Sequence, residues 1–285
     1  APIADEMAPA ETVPGPDAAE SSAVSAQRLI ANWKLVELRT EEGRRYSRNR
    51  QWALAENKFN EALEVAPRHV PALLELATAQ REQKRPADVR DTLVRVMAID
   101  GSSASSRIQL AQAYAQLGEY ENALAMAQWT LEGEPYSLDA LQVTADALTA
   151  LGRDEQAVAV WQKLAALNSA NLSARNHLGA AQLRLGQWSP AIATFESIIR
   201  ADPANPQAHY NLAIAFVKKN EPELAVDVLR QASARLGGSF VLAWTRGPDF
   251  DPIRAHASFQ EYFGDAATAS PTGAPAPESA PSPAP

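Results

Sequence analysis

The stretch ALAENKFNEALEVAP, residues 53–67, decides the fold. Its Ala55, Phe59, Ala62 and Pro67 are separated by four, three and five residues. Apolar residues at three- and four-residue steps indicate one face of an α-helix, and proline stops a helix because it lacks the backbone N–H and its ring clashes with the preceding turn. The stretch therefore predicts an amphipathic helix that ends near residue 66.

The same pattern recurs every 34 residues through most of the chain. With Val36 as position 1, six repeats follow without insertion, at residues 36–69, 70–103, 104–137, 138–171, 172–205 and 206–239. Four positions show the recurrence: position 8 is Gly43, Ala77, Ala111, Ala145, Gly179 and Ala213; position 20 is Ala55, Val89, Ala123, Ala157, Ala191 and Ala225; position 24 is Phe59, Leu93, Ala127, Trp161, Phe195 and Leu229; position 32 is Pro67, Gly101, Pro135, Ser169, Pro203 and Gly237.

The residue types predict two helices in each repeat. Small residues at positions 8 and 20 allow the helices to approach closely, and a larger residue at position 24 fills the space beside them. Gly118, Gly152 and Gly186 recur at position 15, where a left-handed residue after the first helix favours glycine.

This pattern resembles the tetratricopeptide repeat, with aromatic residues at position 11 (Tyr46, Tyr114, Phe216) and alanine at position 27 (Ala62, Ala232). Repeats 2 and 4 depart from it at single positions, for example with Val96 and Ser169. The resemblance implies an all-α fold, a right-handed α-solenoid of antiparallel helix pairs.

The flanks of the repeats predict three further segments. No helix breaker precedes repeat 1 back to Ser25, so the solenoid is expected over residues 25–239. Asp251 as N-cap, Pro252 at N1 and Gly264 at C′ frame one capping helix within residues 240–264. Its apolar residues and those of the preceding bridge are expected to cover the end of the array, namely Ile253, Phe259, Tyr262, Phe263, Phe240, Leu242 and Trp244.

The two ends of the chain hold most of the net charge of −8. Residues 1–24 and 265–285 are rich in Ala and Pro, carry acidic residues and contain no Lys or Arg, so both are predicted to be disordered. The remaining sequence is nearly neutral and has no basic face for phosphates, which argues against a nucleic-acid partner. The start APIADEM has small residues of the kind that signal peptidases leave, which predicts a periplasmic or otherwise extracytoplasmic protein, with a cytoplasmic one as the alternative.

No sequence motif for catalysis, phosphate binding or metal binding is present. The four histidines, His69, His177, His209 and His256, share no metal-ligand spacing, and the chain has no cysteine. His177 and His209 could be neighbours on adjacent helices, although two unrelated surface histidines explain them better. We therefore expect no cofactor, no metal and no enzymatic activity.

The resemblance implies that positions 2, 5, 6, 9, 12 and 13 of the first helices line a concave groove. Amide groups there can pair with the backbone of an extended ligand, and Tyr210 with Ile214 offers an apolar anchor. The predicted protein-binding residues are Gln109, Gln112, Gln142, Asn176, His177, Arg184, Tyr210, Asn211, Ile214 and Lys218. No three successive repeats supply the Lys and Asn set with which a known subgroup binds chaperone C-termini.

These observations predict a non-enzymatic scaffold that binds an extended segment of another protein, within a bacterial envelope complex. The alternative is a structural subunit that joins a large assembly, or a second copy of itself, through its convex face and its ends. No stretch is apolar and long enough to be expected to cross a membrane.

Overall fold

The computed structural model describes the backbone of residues 16–268 and the side chains of residues 25–264. The described backbone consists of helices and short connections, without a strand. The chain divides between Ala113 and Tyr114 into two compact bodies. The first contains α1 (Pro16–Arg48), α2 (Trp52–Val65), α3 (Val70–Glu82), α4 (Pro86–Ile99) and most of α5 (Ala104–Gln116).

The second body continues the series of helix pairs. It contains α6 (Tyr120–Gly133), α7 (Leu138–Ala150), α8 (Asp154–Leu167), α9 (Leu172–Arg184), α10 (Trp188–Ala201), α11 (Pro206–Lys218), α12 (Pro222–Leu236), α13 (Gly238–Thr245), a 3-10 helix (Pro248–Ile253) and α14 (Ala257–Thr268). Within each body, successive helices pack against each other from α1 to α4 and from α6 to α12. The predicted all-α solenoid of antiparallel helix pairs is confirmed, with two helices in each 34-residue repeat.

The core follows the recurring small and large positions. Every residue at position 24 has no exposed surface, and the residues at positions 8 and 20 are buried as well. In two repeats a phenylalanine at position 24 requires glycine at position 8. A Cβ on Gly43 would lie 2.4 Å from the Phe59 ring, and one on Gly179 would lie 2.5 Å from the Phe195 ring. Glycine at position 8 therefore accompanies phenylalanine at position 24, while the repeats with leucine at position 24 have alanine at position 8.

A left-handed residue ends the first helix of all six repeats. Position 15 has a positive φ in Gly118, Gly152 and Gly186 and also in Arg50, Lys84 and Asn220. In each repeat the N–H of position 16 donates to the carbonyl oxygen of position 11, as from Arg85 to Gln80 at 3.1 Å. This bond satisfies a carbonyl group that the helix end leaves free, so the backbone turn is kept even where glycine is absent.

Each of the five joints between repeats contains a bond to the carbonyl oxygen at position 32 of the preceding repeat. The partner is a side chain at position 4 of the following repeat or, where position 4 is leucine, at position 26. The five pairs are Arg95 to Pro67 (3.2 Å), Arg107 to Gly101 (2.9 Å), Lys163 to Pro135 (2.7 Å), Arg175 to Ser169, and His209 Nε2 to Pro203 (3.0 Å). Four of the five donors are Arg or Lys, which suit this place because the carbonyl end of a helix is electronegative.

The N-terminal flank differs from the prediction. Helix α1 begins at Pro16 and not near Ser25, because Pro is tolerated in the first turn and residues 17–24 contain no helix breaker. The predicted disorder of residues 1–24 and 265–285 lies outside the described residues, except for the backbone at 16–24 and 265–268, which is helical.

The C-terminal cap is built from more elements than the single predicted helix. Pro252 lies inside the 3-10 helix, and α14 begins only at Ala257, because the Asp251 carboxylate accepts from Arg254 (2.5 Å) and does not cap a helix. Gly264 has a non-helical conformation, as expected for the predicted helix end, but helix resumes beyond it to Thr268.

The apolar residues of the cap cover the last repeat, with two exceptions. The core cluster of the last two repeats includes Trp244, Ile253, Phe259 and Phe263, with Leu242 packed against it. Phe240 and Tyr262 were expected to be covered but are 38% and 43% exposed. On α13 the helical period turns Val241, Trp244 and Thr245 inward, which leaves Phe240 on the outer side.

The fit at position 8 predicts the effect of adding one methyl group. Gly179→Ala should lower the free energy of unfolding by about 1–3 kcal/mol, because the clash with Phe195 exceeds the helix-propensity gain of alanine. Gly133→Ala, where no atom lies within 4 Å of the new Cβ, is the control and should be neutral or stabilising. In urea unfolding, Phe195→Leu should restore part of the loss in the double variant, and strictly additive effects of the two substitutions would contradict the fit.

The left-handed position predicts the opposite effect for a change to glycine. Lys84→Gly should raise the free energy of unfolding by up to about 1 kcal/mol, because its φ of 59° strains a residue with a Cβ. Asn220→Gly, at a φ of 64°, should gain less because asparagine tolerates this conformation. The two variants are compared by thermal unfolding, and an equal gain from both would show that Cβ strain is not the cause.

Candidate functional site

The first helix of each repeat carries the predicted groove residues, and the second body contains three such helices, α7, α9 and α11. The structure separates the predicted residues of these helices into two groups. Tyr210 of α11 lies against the C-terminal cap, whereas His177 of α9 forms a stacked pair of rings with Trp161 of α8.

Tyr210 is in contact with the chain's own C-terminal segment. Its hydroxyl donates to Asp249 Oδ2 at 2.7 Å, and its ring makes edge-to-face contacts with Trp244 and Phe250 at centroid distances of 5.4 and 5.8 Å. Burial, followed by the bond to the Asp249 carboxylate, raises the pKa of Tyr210 well above its usual value. The aromatic side chain that was predicted to anchor a ligand therefore already has an intramolecular partner.

The other predicted residues of α11 have varied surroundings. Asn211 is only 4% exposed, and its Oδ1 accepts from Gln207 at 3.3 Å. Ile214 is half-buried against the core cluster of the last repeats, and Lys218 is exposed. On α11, therefore, Tyr210 is engaged by the cap and Asn211 is buried, whereas Lys218 is left exposed.

The ring stack on the other side of the body is fixed by packing through three helices. His177 of α9 lies parallel to Trp161 of α8, with a centroid distance of 4.7 Å and an interplanar angle of 12°. Trp161 has no exposed surface, and its Nε1 donates to Thr149 Oγ1 of α7 at 3.1 Å. A buried core residue thus sets the position of His177 on the concave side.

Asp146 and His177 affect each other's protonation. Loss of hydration lowers the pKa of His177. The positive charge of Arg184 lowers this pKa further, whereas the negative charge of Asp146 raises it in part. Loss of hydration also raises the pKa of Asp146. The hydrogen bond from Gln142 Nε2, at 3.0 Å, and the His177 charge act in the opposite direction and lower this pKa in part. The Asp146 side chain is nevertheless exposed to solvent, so it lies on the surface and not inside the core.

Two further predicted residues complete the α9 surface. The Oδ1 atom of Asn176 is buried and has no hydrogen-bond partner among the described residues. Arg184 is held in a two-pronged ion pair with Asp154, with N–O distances of 2.7 and 2.9 Å. A free amide oxygen and a fixed guanidinium therefore flank His177 along the helix.

The first body contains the remaining predicted residues, Gln109 and Gln112, both half-buried on α5. Gln109 Oε1 accepts from Arg81 at 3.4 Å, and its Nε2 donates to Ser105 at 3.2 Å. On the neighbouring first helices, Arg44 pairs with Glu75 at 2.8 Å. The polar groups of this body are thus largely paired with one another.

Sequence reasoning missed two members of the α7–α9 surface, Asp146 and Trp161. Asp146 occupies position 9, which the resemblance already assigned to the groove, so a signal was available. Trp161 occupies the core position 24, and no sequence signal shows that its ring reaches a concave histidine. His177 and His209 do not form a pair, since His209 is buried against Pro203.

Neither a metal centre nor a membrane helix is found among the described residues. No group of three or more His, Asp or Glu side chains there could hold a metal ion. Of the helices in the described part of the chain, none combines the length and apolar character needed to cross a bilayer.

Similar solved structures share the fold at low sequence identity. YrrB, titled a TPR protein with an unusual peptide-binding site, matches with a TM-score of 0.57 at 19% identity over 64% of this chain and 94% of its own. MamA from Desulfovibrio magneticus RS-1 matches at 0.56 and 18%, over 59% and 94%. PilF of Pseudomonas aeruginosa matches at 0.56 and 14%, over 79% and 99%. At these identities the likeness establishes the fold alone.

Family models assign most of the repeats. No curated protein matches the chain. One model described as tetratricopeptide repeat matches residues 40–98 and 176–239, and a second with the same description matches residues 104–129. A third, described as TPR repeat, matches residues 145–186. Together these ranges span more than half of the 285 residues. The chain therefore belongs to the tetratricopeptide repeat family.

Proposed function

We propose that the chain is a non-enzymatic scaffold whose second body binds an extended segment of another protein on the concave surface of α7 and α9. The observation that carries the proposal is the buried Oδ1 of Asn176, which lacks a donor among the described residues. Buried polar atoms are almost always hydrogen-bonded, so this oxygen is expected to gain a donor, which a ligand can supply once the Asn176 amide turns toward the surface.

The chemistry of the surrounding residues suits a peptide backbone. Gln142 and Asn176 carry amides that can both donate and accept, as the peptide bonds of an extended segment require. His177 offers a flat ring that is already ordered by Trp161. Because this ordering precedes binding, less conformational entropy is lost when a ligand packs against the ring.

The contacts of α11 narrow the site relative to the sequence prediction. Tyr210 and Asn211 are engaged within the molecule, so the proposed surface consists of Gln142, Asp146, Asn176, His177 and Arg184. The placement of the protein outside the cytoplasm and within an envelope complex remains part of the proposal, and cell fractionation with an antibody against the chain would test it.

A second candidate is a structural subunit that joins a larger assembly or a second copy through the end of α1. This alternative rests on Leu29, Ile30 and Trp33, which are 69%, 56% and 53% exposed on the part of α1 that precedes repeat 1. Sedimentation over a range of concentrations would test it, with Ile30→Glu abolishing any association that uses this surface.

The proposal predicts which substitutions release a partner. Gln142→Ala with Asn176→Ala should reduce the protein recovered from a lysate of the source organism by about tenfold or more, because each lost hydrogen bond contributes about 1 kcal/mol. Asn122→Ala with Gln231→Ala, which changes the same residue types on second helices, is the matched control and should retain the partner.

In the same assay, Tyr210→Phe distinguishes the groove predicted from the sequence, which includes Tyr210, from the proposed surface on α7 and α9, which does not. It should retain the partner, because Tyr210 serves the C-terminal cap through Asp249. If the Gln142 and Asn176 variant retains its partner while remaining folded by circular dichroism, the concave surface of α7 and α9 is not the binding site.

The stacked histidine predicts a pH dependence of stability. The pKa of His177 is lowered in the folded state, so above its unfolded value of about 6.5 both states are neutral and no stability is lost. Below that value the unfolded state binds the proton first, and stability falls. Urea unfolding at pH 8 and pH 5.5 should therefore show a smaller loss for His177→Asn than for the wild type.

The control for this pH effect is the free energy of unfolding at pH 8, where a difference between His177→Asn and the wild type reports packing alone. Asp146 acts in the opposite direction, since its raised pKa means that its protonation in more acidic solution favours the folded state. Equal pH slopes for His177→Asn and the wild type would show that the histidine is not held neutral by the stack.

A further inference from the structure

The α7–α9 surface contains a carboxylate without a cationic partner. Asp146 accepts a hydrogen bond from Gln142 of the same helix, and no Lys or Arg of the described chain forms an ion pair with it. Resting on the proposed function, we propose that this surface selects a protein segment that places a lysine or arginine side chain on Asp146.

Two carboxylates on the first helices or beside them already have a cationic partner. Glu75 pairs with Arg44 at 2.8 Å, and Asp154 with Arg184 at 2.7 Å. Arg184 acts on the neighbouring His177, and its Nε and one terminal nitrogen are both bonded to Asp154, so it does not neutralise Asp146.

The surroundings of Asp146 increase what a cation would contribute. The protein around this carboxylate removes part of its hydration, which disfavours the charged form. A ligand ammonium or guanidinium would replace the lost water with a charge-assisted hydrogen bond. The charged groups that act on the Asp146 and His177 pair are Asp146 itself and Arg184, and His177 is neutral above its lowered pKa, so it does not repel a cation.

The free oxygen of Asn176 points to the same kind of ligand. It lies on the adjacent concave helix and requires a donor, as Asp146 does. Acceptors on the first helices of two successive repeats favour a segment that brings backbone N–H groups and a basic side chain, and they disfavour an acidic segment through desolvation and repulsion. The surface thus has the opposite preference to a site that captures carboxylates.

Selection from a phage-displayed library of random dodecapeptides on the immobilised full chain tests this inference. The wild type should enrich peptides with Lys or Arg at one fixed position. Asp146→Asn should lower that enrichment at least tenfold, and Asp146→Lys should replace it with enrichment of Asp or Glu. Asp227→Asn, at an exposed aspartate of α12, is the control and should behave as the wild type.

The outcomes separate this inference from the proposed function. The inference is overturned if the selected peptides show no preference for Lys or Arg, or if that preference persists in Asp146→Asn. In either case the proposed binding of peptides on α7 and α9 still holds. A wild-type chain that selects no peptide above the blank support would overturn both. Circular dichroism of each variant confirms that the helices are intact, and resynthesised peptides should bind Asp146→Asn at least tenfold more weakly than the wild type.

Discussion

The contact between positions 8 and 24 is the constraint on which the rest of the structure depends. The side chain at position 24 has no exposed surface in any repeat, and the ring of Phe59 or Phe195 leaves no room for even one methyl group on the facing helix. Because interiors are close-packed, this contact fixes the separation of the two helices in a repeat.

The same core position also builds the candidate site. Trp161 fills position 24 of repeat 4, yet its ring extends far enough to support His177 on the concave side and to bond Thr149 on α7. Stability and recognition are therefore coupled at this point, since a substitution of Trp161 would disturb both. Repeats with Phe or Leu at position 24 lack such a ring under a concave histidine.

The sequence predicts the features that depend on period and size, and it misses those that depend on contacts distant along the chain. The six repeats, the core positions and the left-handed residue at Gly118, Gly152 and Gly186 follow from a 34-residue period. The bond between Tyr210 and Asp249 does not follow from this period, because Asp249 lies beyond the last repeat. The cap boundaries were misplaced for a different, local reason: Arg254, three residues further on, takes the Asp251 carboxylate that capping rules assign to a helix N-terminus.

The bonds at the five joints have a consequence for how such an array evolves. Each acceptor is a main-chain oxygen, which every amino acid supplies, so a duplicated repeat brings its own donor and finds an acceptor in whichever repeat precedes it. Duplication or exchange of internal repeats therefore preserves the joint without compensating changes. The last repeat is different, because Tyr210 commits it to the segment that follows. Lengthening of the chain in evolution is thereby directed to the interior of the array.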